Sequence, residues 1–352
     1  MRRFVRSPRA HGFALAASLA GGCVPNLDTD ESSVTAPRVL AVVTEPAEAR
    51  PGANVRYSAL LVDQDGPREQ GVLAWFYCMA QKPLAELGPV DPVCLQAGTK
   101  QLTRIGRGPE VQGTIPASAC ALFGPNIPQP EEGQEPGRPV DPDDTGGFKQ
   151  PVVLGLNAGQ GDQLILFEQR ISCDLPGVSA QLASQYRLRY HANQNPKIRD
   201  LLVTRADGSE QRLKAGELLE AKRGEELDLL VRWNACPESD TCGDGICGPD
   251  ETRESCSDDC TAPAGCPGQE RYLWFDTAKR ELVVRRESMR LAWYATGGSY
   301  DEERTGQDED KTSNLDRNHW QAPDRAGDAT LWVVARDARG GVGTLEVPVK
   351  LR

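Results

Sequence analysis

Cysteine is the residue type with the most chemistry to offer in this sequence. The chain has 11 cysteines, and six of them fall between Cys236 and Cys266. A cysteine can form a disulfide, bind a metal as the thiolate or carry a lipid. So dense a set favours disulfides over thiolate zinc sites if the chain folds in an oxidising compartment.

Histidine chemistry is sparsely represented after the first 22 residues. His191 and His319 stand alone there, with no His-Glu-x-x-His arrangement. Zinc hydrolase chemistry is therefore hard to build. The sequence also lacks a Gly-x-Ser-x-Gly elbow, a P-loop and a dinucleotide fingerprint that follows a strand. We expect no enzyme, unless a cleft holds one of these histidines beside a serine and a carboxylate.

Calcium is the one cofactor that the sequence indicates, because acidic loops supply the oxygen ligands that it prefers. Five carboxylates in the cysteine-rich segment are the best candidates: Asp244, Asp250, Glu251, Asp258 and Asp259. Two other acidic stretches, 141–144 and 308–316, are weaker candidates. None of the three matches an EF-hand loop, and a solvated acidic loop is the alternative for each.

The charge balance argues against nucleic acid as a partner. The chain has 40 basic and 51 acidic side chains. Without the four arginines of the first nine residues, 36 basic groups face 51 acidic ones, a net charge of −15. Such a surface repels phosphate backbones and offers no basic patch.

The first 22 residues have the form of a secretory signal, with four early arginines before a short apolar run at Gly12–Ala20. This run is shorter than the about 20 residues that span a bilayer. The segment LAGGC, which ends at Cys23, resembles the lipobox of bacterial lipoproteins. That resemblance implies cleavage before Cys23, lipid on its thiol and a membrane anchor, with residues 23–36 as a polar tether.

Lipid on Cys23 would leave ten cysteines, an even number that fits five disulfides. Neighbouring positions suggest the bridges Cys78–Cys94 and Cys120–Cys173, although one sequence does not fix the connectivity. The ten candidates are Cys78, Cys94, Cys120, Cys173, Cys236, Cys242, Cys247, Cys256, Cys260 and Cys266.

The elements that would position these groups are short strands. Residues 38–62 alternate apolar and polar positions around Pro51-Gly52, and residues 198–236 repeat this pattern around Arg223-Gly224. Trp75 precedes a cysteine by three residues, and Trp233 does the same in the second copy. We predict a duplicated unit with these tryptophans, and Trp293, in the cores. Strand pairs with a central Trp beside a Cys resemble immunoglobulin or polycystic-kidney-disease β-sandwiches.

Two segments interrupt the predicted sandwiches. Residues 124–147 are rich in proline, glycine and acidic side chains, so we expect a disordered loop. Within residues 236–266, the stretch CGDGICGPDETRESCSDDC resembles a cysteine-rich repeat (CGDGxC, then CxxDC) of secreted and surface proteins. The pairing of AWYATGGSYDEERTG with the terminal WVVARDARGGV resembles the ends of lipoproteins from predatory, gliding soil bacteria of the myxobacterial type. These resemblances imply a fold and a location, not an activity.

The predicted fold is all-β, with two immunoglobulin-like β-sandwiches in tandem and a small disulfide-rich insert in the second. The predicted boundaries are 1–22 for the signal peptide, 23–36 for the lipidated tether, 37–185 for the first domain and 186–352 for the second. The first domain carries the loop 124–147 and the second the insert 236–266.

The function we expect is a membrane-anchored, non-enzymatic binding or scaffolding module of the cell envelope, in the outer membrane and facing the periplasm or the surface. One alternative is a calcium-stabilised adhesion or polysaccharide-binding protein, and another is a structural subunit of an envelope assembly. The partner would be a protein or a polysaccharide. Sugar binding would be favoured if four aromatic residues shared one exposed face: Tyr272, Trp274, Tyr294 and Tyr300.

Overall fold

The computed structural model describes residues 30–68, 71–81, 90–96, 98–125, 144–157, 162–175, 177–260 and 265–352. The predicted signal peptide and the first half of the tether, which includes Cys23, lie outside these residues, as does the segment 126–143. Residues 31–352 form one structural unit. No helix in the described ranges has the length and apolar character needed to cross a membrane.

The first sandwich is built from nine strands. Their bounds are β1 Arg38–Glu45, β2 Glu48–Ala49, β3 Asn54–Asp63, β4 Gly66–Pro67, β5 Val72–Cys78, β6 Leu102–Gly106, β7 Glu110–Thr114, β8 Phe148–Asn157 and β9 Asp162–Ile171. In one sheet β3 pairs with β1, β4 and β7, and the other sheet has the order β2-β9-β8-β5-β6. Alternate residues point into the core between the sheets, as Val55 and Tyr57 of β3 do opposite Val152 and Leu154 of β8.

The second sandwich has ten strands and carries an additional hairpin. The bounds are β10 Ile198–Arg205, β11 Glu210–Leu213, β12 Leu219–Ala221, β13 Glu226–Trp233, β14 Arg271–Asp276, β15 Glu281–Arg286, β16 Met289–Ala295, β17 Ser299–Tyr300, β18 Arg304–Gln307, β19 Leu315–Gln321, β20 Gly327–Asp337 and β21 Val342–Leu351. The two sheets have the orders β11-β10-β13-β19-β17 and β12-β21-β20-β16-β18, while β14 and β15 pair only with each other. The predicted fold class, two sandwiches with a disulfide-rich insert in the second, is confirmed.

Helices are few and lie at the margins of the sandwiches. They are a 3₁₀ turn at Pro92–Leu95, α1 Ala119–Leu122, α2 Ala180–Arg189 and α3 Ser257–Cys260. The predicted boundary between residues 185 and 186 falls inside α2. This helix begins where Ser179 accepts a hydrogen bond from the backbone N–H of Leu182, and none of its residues is buried. A helix that is polar on every side can bridge two domains, which is what α2 does here.

The two sandwiches repeat one topology. In each, a short strand pairs in parallel with the last strand of that sandwich, β2 with β9 and β12 with β21. The turns at Pro51-Gly52 and Arg223-Gly224 are equivalent, because each lies between this short strand and the next long one. The tryptophans are not equivalent, since Trp75 is on β5 and Trp233 on β13. The sheet position of β5 matches that of β16, which carries Trp293. The same three-residue spacing from Trp to Cys therefore occurs on two strands that are not equivalent.

A third apolar layer joins the sandwiches. Leu331 and Val333 of β20 face the core of the second sandwich, and Trp332 between them points to the opposite face. There it packs in a cluster with Leu40 of β1 and Val62 of β3. Because β20 buries both faces, the sandwiches are in direct contact and do not hang on a free linker.

The end of the predicted tether is ordered, which corrects the expectation for residues 23–36. The backbone N–H of Val34 donates to the carbonyl of Ala295, and the N–H of Ala295 donates to that of Ser32. Val34 and Ser32 are buried. The chain therefore docks on the second sandwich before it enters the first. The tether prediction missed this because an isolated bridge at Ser33 has no alternating pattern.

Candidate functional site

A cluster of charged and polar side chains, all buried except the half-buried Tyr190, lies where the two sandwiches meet, and we call it the junction network. It consists of Glu48, Arg170, Tyr190, Asn193, Glu270, Glu287, Asp337 and Arg339. Glu48 and Arg170 come from the first sandwich, and Asp337 and Arg339 from the β20–β21 turn of the second. Residues 190–193, directly after α2, connect the two halves.

Glu48 organises the first half of the network. Its carboxylate accepts hydrogen bonds from Arg170 Nε at 3.2 Å, from the Asn193 backbone N–H at 3.0 Å and from Ser172 Oγ at 2.8 Å. The Tyr190 hydroxyl lies 2.8 Å from both carboxylate oxygens. Burial alone would raise the pKa of Glu48, but the charges of the two buried arginines and these hydrogen bonds lower it. Glu48 is therefore an ionised carboxylate with its lone pairs satisfied.

The second half is centred on Arg339, whose side chain is fully buried. Its guanidinium donates to Glu287 Oε1 at 2.6 Å and to the carbonyl of His191 at 3.2 Å, and it pairs with Glu270. It also lies 4.8 Å from the ring centroid of Tyr272. The side chain of Arg339 thus joins three segments: the residues that follow α2, the region of the β14–β15 hairpin and the β20–β21 turn.

Carboxyl groups outnumber guanidinium groups in the network. The network has four carboxyl groups and two guanidinium groups, which would give a net charge of −2 if all were ionised. Burial and the charge of Asp337 raise the pKa of Glu287 well above its ordinary value. Burial raises the pKa of Asp337 to about 6, against the lowering effect of its hydrogen bonds. The crowding of buried carboxyl groups therefore shows as raised pKa values at Glu287 and Asp337.

The far end of the predicted disordered loop belongs to this junction. Thr145 is buried, and its hydroxyl accepts a hydrogen bond from Arg170 Nη1 at 2.7 Å. A Cβ on Gly147 would lie 2.1 Å from the same nitrogen, so only glycine fits there. The expectation of a disordered loop is therefore wrong for residues 144–147. These residues are ordered because they contact the buried guanidinium of Arg170, which lies more than twenty residues further along the chain.

An open groove of about 370 Å³ lies beside the network at one end of the first sandwich. We call it the tyrosine groove and define it by Arg50, Ser172, Asp174, Tyr186, Arg187 and Tyr190. Tyr186 and Tyr190 are one helical turn apart on and after α2, and their rings stack with centroids 4.7 Å apart. Burial raises the pKa of both tyrosines, so both are neutral phenols.

The groove and the network share residues. Tyr190 and Ser172 line the groove, and both bind the Glu48 carboxylate behind it. The wall of the groove is therefore fixed by hydrogen bonds to a buried carboxylate. Neither Tyr186 nor Tyr190 was identified from sequence. The signal that could have found them is the Ser179 cap followed by tyrosines four residues apart.

All ten candidate cysteines are joined in disulfides in the structure. Cys78 bonds Cys94 and Cys120 bonds Cys173, the two pairs that the sequence suggested. The cysteine-rich segment contains three more: Cys236–Cys266, Cys242–Cys256 and Cys247–Cys260. Five disulfides indicate a protein that folds outside the reducing cytosol.

The structure does not gather the five calcium candidates into one site. Asp250 pairs with Arg189 at 2.6 Å and with Arg271 at 3.5 Å, so two guanidiniums face it. Both oxygens of Asp259 accept backbone N–H groups. Asp258 is exposed.

The other candidates in this segment also accept hydrogen bonds from the backbone. Asp244 Oδ1 accepts from Ile246, and Glu251 Oε2 accepts from Gly248. Among the described residues, the groups with metal-like spacing are Cys242 and Cys256 with Asp259, and Cys247 and Cys260 with Glu251. The cysteines of both groups are already in disulfides. Calcium binding stays a prediction without a formed site.

Residues 141–143 of the weaker calcium candidates lie outside the described residues, and described parts of the two stretches line one cavity. Asp144 of the first acidic stretch lines about 450 Å³ of space together with Asp308 and Asp310 of the second. Arg285 lies among them, bonded to Glu309 Oε2 at 2.7 Å and to the carbonyl of Asp144 at 2.9 Å. A guanidinium thus supplies positive charge to this acidic cavity.

His191 lies in a cleft that Ser239 and Asp240 also line, the grouping that an enzyme would require. The cleft encloses only about 20 Å³, close to the volume needed by one water. Asp240 is bonded to Arg271, and no hydrogen bond joins Ser239 to His191 in the described structure. Burial lowers the pKa of His191 to about 4, with a further contribution from Arg339. The activated serine of a triad is not formed here.

His319 and the four aromatic residues are also dispersed. His319 pairs with Asp228 on an exposed strand surface. Tyr272 is buried beneath Arg339, and Trp274 lies under Arg285 with 5.1 Å between guanidinium and ring. Tyr294 packs beneath Arg38, while Tyr300 contacts Trp293 in the second core. These four rings do not share one exposed face.

Comparison with known proteins adds little. No protein-family model matches the sequence, and no curated protein matches it. Fibronectin(III)-like modules of Clostridium thermocellum CbhA are 10% identical, with 90% of this chain and 94% of that chain covered and a TM-score of 0.21. The adhesin InvE of Yersinia pseudotuberculosis is 10% identical over 88% of this chain and 58% of its own, at 0.20.

A third similar structure is the C-terminal domain of the Streptococcus pyogenes antigen I/II-family protein AspA. It is 8% identical, with 90% of this chain and 99% of that chain covered and a TM-score of 0.22. At such scores these likenesses carry no argument about function.

Proposed function

We propose that this chain is an exported lipoprotein whose folded part is a non-enzymatic binding or scaffolding module of the cell envelope. The lipobox-like segment ending at Cys23 supports a lipid anchor, for which the outer membrane is the proposed location. The five disulfides support folding in an oxidising compartment.

The observation that carries the proposal is the junction network. A buried cluster of charges that joins two sandwiches costs desolvation energy, and it gives one fixed geometry in return. It also holds Ser172 and Tyr190 at the wall of an open groove. A rigid frame behind a concave polar surface suits binding, whereas the His191 cleft has room for little more than a water.

Anchoring is tested with a Cys23→Ser variant expressed in the native host. We expect the wild type in the membrane fraction and the variant in the soluble fraction. Asn26→Ser, three residues away, is the matched control and should stay with the membrane. Retention of Cys23→Ser in the membrane would contradict the lipid anchor.

Scaffolding is tested by affinity purification of the wild-type protein from detergent-solubilised membranes. A subunit of an envelope assembly should elute with other envelope proteins in fixed proportion. Elution as a single monomer with no companion would exclude the assembly alternative and leave a binding module.

A further inference from the structure

We propose that the tyrosine groove binds an anionic saccharide. This inference rests on the proposed function as a binding module and names the class of its ligand. The groove volume of about 370 Å³ falls in the range of about 300–1,000 Å³ that is usual for small-ligand sites.

The positive charge of the groove is free to act on a ligand. Arg50 and Arg187 line it, and both are exposed. Neither has an ion-pair partner in the part of the chain that the structure describes, whereas Arg56, Arg189 and Arg232 are all paired. Two unpaired guanidiniums at one groove are suited to a carboxylate or a sulfate, which each can bind through two parallel hydrogen bonds.

The aromatic lining points to a ligand with a flat apolar face as well as charge. One face of the Tyr186 ring stacks on Tyr190, and the ring is partly exposed to the groove. Because the phenol is neutral, it can donate to a ligand oxygen while the ring packs against C–H groups. A pyranose ring presents both kinds of surface.

The acceptors in the groove favour a saccharide over an acidic peptide. Asp174 is an exposed carboxylate at the same groove. It would repel the side chains of an acidic peptide, but it accepts hydrogen bonds from sugar hydroxyls. An anionic saccharide satisfies both at once, because it carries hydroxyl donors for Asp174 and an anionic group for the two arginines.

The network behind the groove reduces the entropic cost of binding. Tyr190 is held by Glu48, and Tyr186 is held by its stacking on Tyr190. The aromatic face is therefore in position before the ligand arrives. A preformed wall loses less conformational freedom on binding than a mobile one does.

Isothermal titration calorimetry of the purified full-length protein tests the proposal, with trigalacturonate as the carboxylate probe and a sulfated trisaccharide as the sulfate probe. We expect heat from at least one of them and none from the methyl ester of trigalacturonate. Arg187→Gln should weaken binding about tenfold, because one charge-assisted contact is lost. Arg212→Gln, an exposed arginine on β11, is the matched control and should bind as the wild type does.

The aromatic contribution is tested at Tyr186. We expect Tyr186→Ala to weaken binding about tenfold and Tyr186→Phe to retain most of the affinity. A melting curve for each variant separates loss of binding from loss of folding.

Two results would overturn the inference. One is the absence of heat with both probes from a folded protein. The other is equal binding of tetraglutamate that does not respond to Tyr186→Ala, which would indicate an acidic peptide. Neither result affects the fractionation of Cys23→Ser, so the anchored module could stand while its ligand class fell.

Discussion

Arg339 is the residue on which the buried charges of the second sandwich converge. Its side chain is fully buried and bonded to Glu287 and the His191 carbonyl. Arg339→Met keeps most of the volume but leaves carboxyl groups without their cation. We expect a loss of about 3–5 kcal/mol in the free energy of unfolding, measured by urea denaturation.

Arg212→Met provides the control for this substitution, because Arg212 is exposed. It should change stability by less than about 0.5 kcal/mol. A similarly small change for Arg339→Met would show that the junction does not depend on this cation.

His191 and Asp337 make opposite contributions to pH dependence. The folded pKa of His191 is about 4, below its ordinary 6.5. The unfolded chain therefore binds the proton first, and stability falls as the pH falls from 6.5 to 4. The folded pKa of Asp337 is about 6, above its ordinary 3.8. The folded chain binds that proton first, and stability rises over nearly the same range.

The His191 contribution can be isolated with His191→Gln, which has no proton to gain. We expect the stability of this variant, relative to the wild type, to improve by about 2 kcal/mol between pH 7 and pH 4. Urea denaturation of both proteins at the two pH values measures it. A stability difference that is the same at both pH values would contradict a neutral, buried His191.

Most strands could be predicted from the sequence, because alternation reports directly which face of a strand is buried. The pattern around Pro51-Gly52 marked β1 and β3, and its repeat around Arg223-Gly224 marked β10 and β13. Helix α2 was missed because none of its residues is buried, so it has no apolar stripe to detect.

The candidate site itself was beyond sequence reasoning. The sequence predicted that acidic side chains of the insert bind calcium, but Arg189 and Arg271 from outside the insert pair with Asp250. Glu48 accepts hydrogen bonds from Tyr190 and Asn193, which lie 142 and 145 positions away in the sequence. No local pattern encodes such a meeting, since it depends on how two sandwiches pack. The local disulfides were predictable for the opposite reason, as their partners are close in sequence.

The disulfide insert has cysteines in place of a core. Among its described residues, the buried apolar side chains are Cys247, Cys256, Cys260 and Cys266, together with Pro249. Replacing Cys247 and Cys260 together with serine opens a loop of 13 residues and removes about 3 kcal/mol of local stability. We expect the insert to become protease-sensitive while the sandwiches melt at nearly the wild-type temperature.

The Cys78–Cys94 bridge is the contrasting case. Both cysteines are fully buried in an apolar cluster with Val153 of β8. Their joint replacement by serine should lower the melting temperature of the first sandwich, followed by circular dichroism. Equal global effects of the two double variants would argue that the insert is part of a sandwich core.

The whole molecule is a pair of sandwiches in direct contact. Trp332 packs between them with Leu40 and Val62, and residues 32–34 dock on the second sandwich before the first begins. The junction network adds a second contact of opposite character, charged and hydrogen-bonded. Two independent contacts between the same bodies leave little freedom for rotation about α2.

An inter-sandwich distance distribution tests most directly whether these contacts join the two sandwiches into one rigid unit. Spin labels on non-natural residues at Arg104 of β6 and Arg212 of β11, both exposed, report it by double electron–electron resonance. We predict one narrow distribution in the wild type and a broader one in the Arg339→Met variant. A broad or two-peaked distribution in the wild-type protein would contradict the rigid junction on which the proposed binding function depends.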